Sequence, residues 1–328
     1  MTNKRIDFKF LNLKHLFVIF VYLYICLFVY SGVVSAQQLS LSITPPLLQL
    51  VIKPGKSIMV AYNIENFGDP VILTSKLVNF EPKDDLGNIK LKDDLNGPIR
   101  FSLDNADLQL GRPFFLKTGA SQQLLLRIRV PDGSPEGDYY YTLLAESTPP
   151  NGLEGVGSAR AKASIGSNIL ITVTNSGIIE VKPKVVLFKT LGNVYDSFDK
   201  IPMVFVIGNQ GKNMIQPEGQ ITLKGDLGEE LNYDIVPKNI LAQSERMIEA
   251  TPSADTAFSG KPVSLVLSGF FIGLYHLSTS VTFGENSPTV FASTSFFVFP
   301  FKLLAGIVIV IVVTIVMVKK FSKNDDED

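Results

Sequence analysis

Residues 303–318, LLAGIVIVIVVTIVMV, run sixteen positions without a charge or a proline, and no water-facing surface accommodates such a stretch. As a helix it rises about 24 Å at ~1.5 Å per residue, short of the ~30 Å hydrocarbon core of a bilayer. Residues 299–302 are therefore expected to complete a membrane span, with the Lys302 ammonium reaching the outer headgroups. Lys319, Lys320 and Lys323 close the segment, and basic residues at the end of a span are retained on the cytoplasmic side. The expected topology is single-pass in the cell membrane, with residues 37–298 extracellular, a span over 299–318 and a cytoplasmic tail over 319–328.

The N-terminus agrees with that orientation. Lys4, Arg5, Lys9 and Lys14 precede the apolar run 16–30, and Val34-Ser35-Ala36 supplies small residues where a signal peptidase reads before Gln37. Residues 1–36 thus read as a signal peptide cleaved between Ala36 and Gln37. An uncleaved signal anchor is the competing reading, because residues 16–36 carry no charge and are long enough to span. Cys26, the one cysteine, lies inside this leader, and Ile25 precedes it where a lipobox needs a small residue. Disulfides, thiolate catalysis and cysteine metal sites are therefore excluded from residues 37–298. Lys and Arg number 30 against 31 Asp and Glu, without a basic cluster, so nucleic acid is excluded as a partner. The acidic run 325–328 reads as a solvated terminus.

From Leu39 onward, short alternating runs are broken by Pro, Gly, Asn and Asp, and no helical period is sustained. In residues 57–66, Ile58, Val60, Tyr62 and Ile64 share one face of a strand. Leu124, Leu126, Ile128 and Val130 do the same further on, before Pro131-Asp132-Gly133 ends that strand. The chain is all-β up to the span.

Its second half repeats the punctuation of the first in the same order. Asn66-Phe67-Gly68 is matched by Asn209-Gln210-Gly211, and Asp85-Leu86-Gly87 by Asp226-Leu227-Gly228. Gly137-Asp138-Tyr139 is matched by Gly273-Leu274-Tyr275, each opening a late strand where immunoglobulin-like sandwiches place a corner tyrosine. Three matches in register predict a duplication: two tandem immunoglobulin-like β-sandwich domains, residues 37–177 and 178–298, joined without a long linker. Tyr139 and Tyr275 are expected to be the corner tyrosines, each hydroxyl bonded to backbone within its own domain.

Pro54-Gly55-Lys56-Ser57 before the alternating strand, the Asn-x-Gly turn, Pro135-Glu136-Gly137-Asp138-Tyr139 and the anchor with its basic stop together resemble the WxL-interacting surface proteins of bacteria. The resemblance covers the whole layout, from signal through two immunoglobulin-like domains to the C-terminal span. It implies cell-wall binding by the first domain and protein partners for the second. It carries no catalytic or ligand-contacting residue over to this chain.

The chemistry-bearing residues are sparse. His15 lies in the leader, and His276 falls on the polar face of the strand 275–283, so it reads as an exposed strand histidine without a catalytic partner. Asp84-Asp85 and Asp93-Asp94 flank a hairpin; shared calcium ligation is one reading, but turn-stabilising aspartates are the commoner one. Gly155-Val156-Gly157 joins no strand to a helix and reads as loop rather than phosphate cradle. Residues 148–166 form the longest Gly-rich connection: if 139–146 and 167–174 are neighbouring late strands it lies where antibody domains read their targets, and a floppy hairpin without a ligand is the other, commoner reading. Tryptophan is absent, which leaves Tyr139, Tyr140 and Tyr141 as the aromatic surfaces on which a sugar could stack.

The expectation is a non-enzymatic, membrane-anchored surface protein with no cofactor or metal, binding a cell-wall polymer or another surface protein. The alternative is an envelope assembly factor whose open strand edge pairs with a client strand, which an accessible edge in the first domain would favour. An extracellular hydrolase comes third, since no nucleophile has a base beside it.

Overall fold

The computed structural model describes residues 17, 20–24, 38–148, 162–253, 255–284 and 287–324. The first sandwich comprises β1 (Leu41–Thr44), β2 (Leu47–Ile52), β3 (Ser57–Asn66), β4 (Val71–Pro82), β5 (Ile89–Lys92), β6 (Arg100–Leu103), β7 (Pro113–Leu116), β8 (Ser121–Arg129), β9 (Gly137–Thr148) and β10 (Ser164–Val173). They form two sheets, ordered β1-β3-β8-β6 and β2-β10-β9-β4-β5, with β7 also on β4. The second comprises β11 (Pro183–Thr190), β12 (Val194–Asp196), β13 (Ile201–Asn209), β14 (Glu218–Gly225), β15 (Glu230–Ile235), β16 (Ser244–Met247), β17 (Ala250–Thr251), β18 (Ala257–Phe258), β19 (Lys261–Pro262), β20 (Leu265–Leu267), β21 (Gly273–Thr282) and β22 (Val290–Phe299). Its sheets run β11-β13-β16, with β20 on β13, and β12-β22-β21-β14-β15-β17.

Period-2 alternation explains both cores. Tyr62, Ile64, Leu124, Leu126 and Ile128 point inward and are sealed from solvent, at about 1.5–3 kcal/mol for each large apolar side chain buried. One apolar cluster draws on residues between Ile43 and Val173, the other on residues between Ile201 and Val298. The molecule is a tandem pair of immunoglobulin-like β-sandwiches followed by one apolar C-terminal helix.

The duplication extends to topology. In each sandwich the first strand pairs antiparallel with the next long strand (β1 on β3, β11 on β13), then crosses to the other sheet and pairs parallel with the last strand (β2 on β10, β12 on β22). In the first sandwich the crossing is at Pro45-Pro46, where the missing N–H groups cannot continue a ladder. Gly68 and Gly211 complete the match. A Cβ on either would collide with an incoming carbonyl, Gln38 O at 2.1 Å or Glu180 O at 2.7 Å.

The span differs from expectation at both ends. Phe299 still pairs with Asp196 as the last residue of β22, Pro300 follows, and the helix runs Phe301–Asn324 instead of stopping at Val318. Proline suits a helix start because its missing N–H has no partner there, and the lysines beyond Val318 are good helix formers. The stretch Phe301–Lys319 is long and apolar enough to cross a membrane and is covered by no other described residue. Lys302, expected to reach headgroups, forms an ion pair with Asp199. Its backbone N–H donates to Asp196 Oδ2 at 2.8 Å, capping the helix with a side chain of the second sandwich.

Candidate functional site

The strand that opens at Gly137 serves two faces. Tyr139 and Tyr141 turn toward the core of the first sandwich, which sends Asp138 and Tyr140 to the opposite face, against the second. There Asp138 Oδ1 accepts from Asn213 Nδ2 at 2.9 Å and Thr172 Oγ1 at 2.8 Å, while Oδ2 accepts from the Met214 N–H and, at 3.0 Å, the Tyr140 hydroxyl. Tyr140 stacks on Phe80 and its oxygen accepts the Ala242 N–H at 2.8 Å. Burial pushes the Tyr140 phenol well above its ordinary pKa, and the Asp138 charge adds to that. Asp138 therefore gathers donors from both domains onto one carboxylate.

A second contact lies beside it. The turn Asp85-Leu86-Gly87 leans on β16, and the Met247 N–H donates to the Asp85 carbonyl at 2.6 Å. Arg246 lies so close under Gly87 that a Cβ there would approach its Cζ to 2.5 Å. Its Nη1 donates to Asn239 O at 2.7 Å, and burial pulls the guanidinium below its ordinary pKa against the opposing charge of Glu249. Between these contacts the two domains enclose a crevice of about 390 Å³, lined by Leu47, Phe80, Asn168, Leu241 and Arg246 among others.

The other feature is a bare stretch of sheet edge. β2 covers β10 from Asn168 to Val173 only. The Asn168 N–H faces the β2 side, bonding Pro46 O at 3.2 Å, whereas Ala163 O faces β9 and accepts the Ser147 N–H at 2.8 Å. Strand periodicity then directs the backbone groups of Ser164 and Gly166 away from β9, where no described residue pairs with them. At the same distal end, Phe67, Ile72 and Phe115 are exposed, with Ile72 opposite Phe115 in the β4–β7 ladder.

The residues singled out in the sequence are distributed as follows. The Tyr139 hydroxyl donates to Pro135 O at 2.9 Å, a backbone bond within its own domain. Tyr139→Phe should therefore cost about 0.5–1.5 kcal/mol, read as a lower denaturation midpoint; an unchanged midpoint would remove this bond from the account. The Tyr275 hydroxyl also bonds backbone within its own domain, accepting from the Ile272 N–H at 3.3 Å, and has a side-chain partner besides, donating to Glu229 Oε2 at 2.7 Å. His276 is exposed, 2.8 Å from Ser295 Oγ and 3.9 Å from Asp226. Asp84 holds its hairpin turn, accepting from Asn88 Nδ2 at 2.8 Å and from the Leu86 and Asn88 N–H groups. These bonds, the Asn88 side chain foremost, keep its carboxyl below the usual range. Among the described residues no group of three His, Cys, Asp or Glu is arranged to hold a metal. The connection expected over 148–166 is shorter, since β10 starts at Ser164; residues 149–161, with Gly155-Val156-Gly157, lie outside the described residues. So do Ala36, Gln37, Cys26, the acidic run 325–328 and the side chains of Lys320 and Lys323, while Lys319 is exposed on the helix.

The sequence offers Tyr140 and Tyr141 as surfaces for a sugar and marks neither Asp138 nor Tyr140 as a domain contact; Tyr141 is sealed in the first core and Tyr140 turns against the second sandwich. The available signal was the alternation in Gly137-Asp138-Tyr139-Tyr140-Tyr141, which puts an acid and a tyrosine on the non-core face.

No protein-family profile and no curated protein matches the chain. Among solved structures it is similar to the class 5 fimbriae chaperone CfaA, at 12% identity over 78% of this chain and 99% of that one, TM-score 0.38. It is also similar to the E. coli chaperone DraB, at 14% identity over 79% of this chain and 96% of that one, TM-score 0.34. A Salmonella enterica structure of SafA pilin in complex with the SafB chaperone matches at 11% identity over 79% and 99%, TM-score 0.35.

Proposed function

We propose that this chain is a membrane-tethered, non-catalytic envelope protein that holds a client polypeptide by strand addition at the open edge of its first sandwich. The observation that carries this reading is the pair of outward backbone groups at Ser164 and Gly166, which no described residue pairs because β2 begins only at Leu47, opposite Asn168. An extended peptide entering that lane would gain main-chain hydrogen bonds from β10, with side-chain pockets setting selectivity. The edge is short, and the exposed Ser164 and Lys162 beside it limit indiscriminate pairing. In this reading residues 37–298 face outside, the lysines after the span face the cytoplasm, and the first domain carries the recognition surface.

The test is a photo-crosslinking residue at Ser164 in the full-length chain in its own membrane, with one at Asp234 on the second sandwich as control. Crosslinking to a polypeptide at Ser164 alone is expected. Ser164→Pro, which deletes an outward N–H and spares the β9 ladder, should abolish capture placed from Lys162 while leaving folding unchanged. Equal crosslinking at both positions, or capture indifferent to the proline, would overturn the reading.

A second reading is favoured by Phe67, Ile72 and Phe115, exposed together at the distal tip, as a surface that recognises another envelope component. On the resemblance to WxL-interacting surface proteins, that component would be a cell-wall polymer or a surface protein. Loss of wall binding in a triple serine variant, with Ser164 capture intact, would favour it.

A further inference from the structure

The end of the second sandwich nearest the helix is unusually apolar for a surface. Register fixes which loops lie there: Gly273 opposes Val298, Asp196 opposes Phe299 and Ile201 opposes Leu267. The loops 197–200 and 268–272 and the hairpin tip 226–228 therefore share the end at which β22 hands over to the helix. Phe198 is 65% exposed, Phe270 55% and Leu227 72%. Leu191 and Ile272 are exposed beside them.

These side chains are held out by defined contacts. The Phe198 and Phe270 rings lie 5.0 Å apart, and the Phe271 N–H donates to Ser197 O at 3.1 Å, tying the two loops together. Phe271 turns inward against Tyr275, which forces its neighbour Phe270 outward. Of the carboxylates at this end, Asp196 caps the helix, Asp199 pairs with Lys302 and Glu229 accepts the Tyr275 hydroxyl, while Asp226 on the hairpin tip stays exposed, 3.9 Å from His276 Nε2.

We infer that this end of the second sandwich is itself seated in the outer headgroup–acyl boundary of the bilayer, with Phe198, Phe270 and Leu227 inserted as an apolar collar around the start of the span. The inference rests on the helix being a membrane anchor. Continuity with that helix identifies the occupant as lipid. Pro300 alone separates β22 from the helix, the Phe299 and Phe301 rings are 5.1 Å apart, and Asp196 bonds the Lys302 N–H. One residue spans at most about 3.6 Å, whereas the headgroup layer is roughly 5–7 Å deep on each side, so loops at this end cannot stand clear of it. Aromatic side chains concentrate at that depth.

The chain contains no tryptophan, so a single substitution places one fluorophore at a chosen depth. The full-length protein would be reconstituted in phosphatidylcholine vesicles as Phe270→Trp, Phe198→Trp, Phe301→Trp and, at the far end of β22, Phe291→Trp, with circular dichroism to check folding. Brominated phosphatidylcholine is expected to quench positions 198, 270 and 301 at least twofold, with blue-shifted emission. Position 291 should instead respond to aqueous iodide. Lipid quenching at 301 with iodide quenching at both 198 and 270 would overturn the collar and leave the anchor standing. Iodide quenching at all four positions would overturn the anchor reading and the collar with it.

Discussion

Asn209→Leu is expected to destabilise the second sandwich by about 3 kcal/mol or more, and Asn66→Leu to do the same to the first. Both side chains are almost fully buried. Asn209 Nδ2 donates to Asn213 O at 2.8 Å, Leu241 O at 3.1 Å and Ile240 O at 3.2 Å, while Oδ1 accepts the Gly211 N–H at 2.9 Å. Asn66 repeats the arrangement, donating to Asp69, Leu116 and Lys117 carbonyls and accepting the Gly68 N–H at 3.0 Å. Leucine preserves volume but takes the side-chain partner from the Gly211 N–H and Asn213 carbonyl, and from the Gly68 N–H in the first sandwich, while the Ile240, Leu241 and Lys117 carbonyls keep donors in Ile215, Ser244 and Ala120; each unsatisfied buried polar group costs about 1–3 kcal/mol. Chemical denaturation of the full-length protein in detergent checks this. A midpoint unchanged in both variants would remove the carboxamides from the account of stability.

Asp138→Ala should separate the domains without unfolding either. The two bonds it makes across the seam, from Asn213 and Met214, are to a charged acceptor, and such bonds contribute about 1.5–3 kcal/mol each. The same change strips the Tyr140 hydroxyl of its acceptor, so the contact to Ala242 weakens with it. The expected result is one cooperative transition in the parent chain and two in the variant, with the distance between probes on the two sandwiches broadened in solution. A single transition at the parent midpoint would show that the remaining contacts, Asp85 to Met247 among them, hold the seam by themselves.

The two Asn-x-Gly turns show what was legible in the sequence. Their recurrence marks a duplicated strand ending, and the strands do end there. Their role as clamps was hidden, because beyond the nearby Asp69 and Asn213 the carbonyls they hold, those of Leu116, Lys117, Ile240 and Leu241, come from residues far along the chain and become neighbours only on folding. Asp138 was hidden for a related reason. The corner-tyrosine pattern draws attention to Tyr139, yet the next residues on either side face a domain whose approach no local pattern encodes. Asp85-Leu86-Gly87 reads correctly as a hairpin turn and says nothing of β16 against it. The open edge was equally out of reach, since it depends on where Pro46 ends the pairing of β2 with a strand more than a hundred positions later. Local chemistry, such as the Asp84 turn and the outward His276, needed only the nearest residues and was readable.

The direct passage of β22 into the helix gives the molecule a mechanical character. β22 is hydrogen-bonded along its length to β21, from Gly273–Val298 to Val281–Val290, and near its membrane end to β12. A pull on the outer domain, resisted by the anchor, acts along β22 and loads these bonds in shear. They must then yield together, unlike a hairpin peeled from one end, whose bonds give way singly. The sandwich next to the bilayer is thus strung to withstand tension, and a client held at the distal edge would be released by its own contacts before the tether gave.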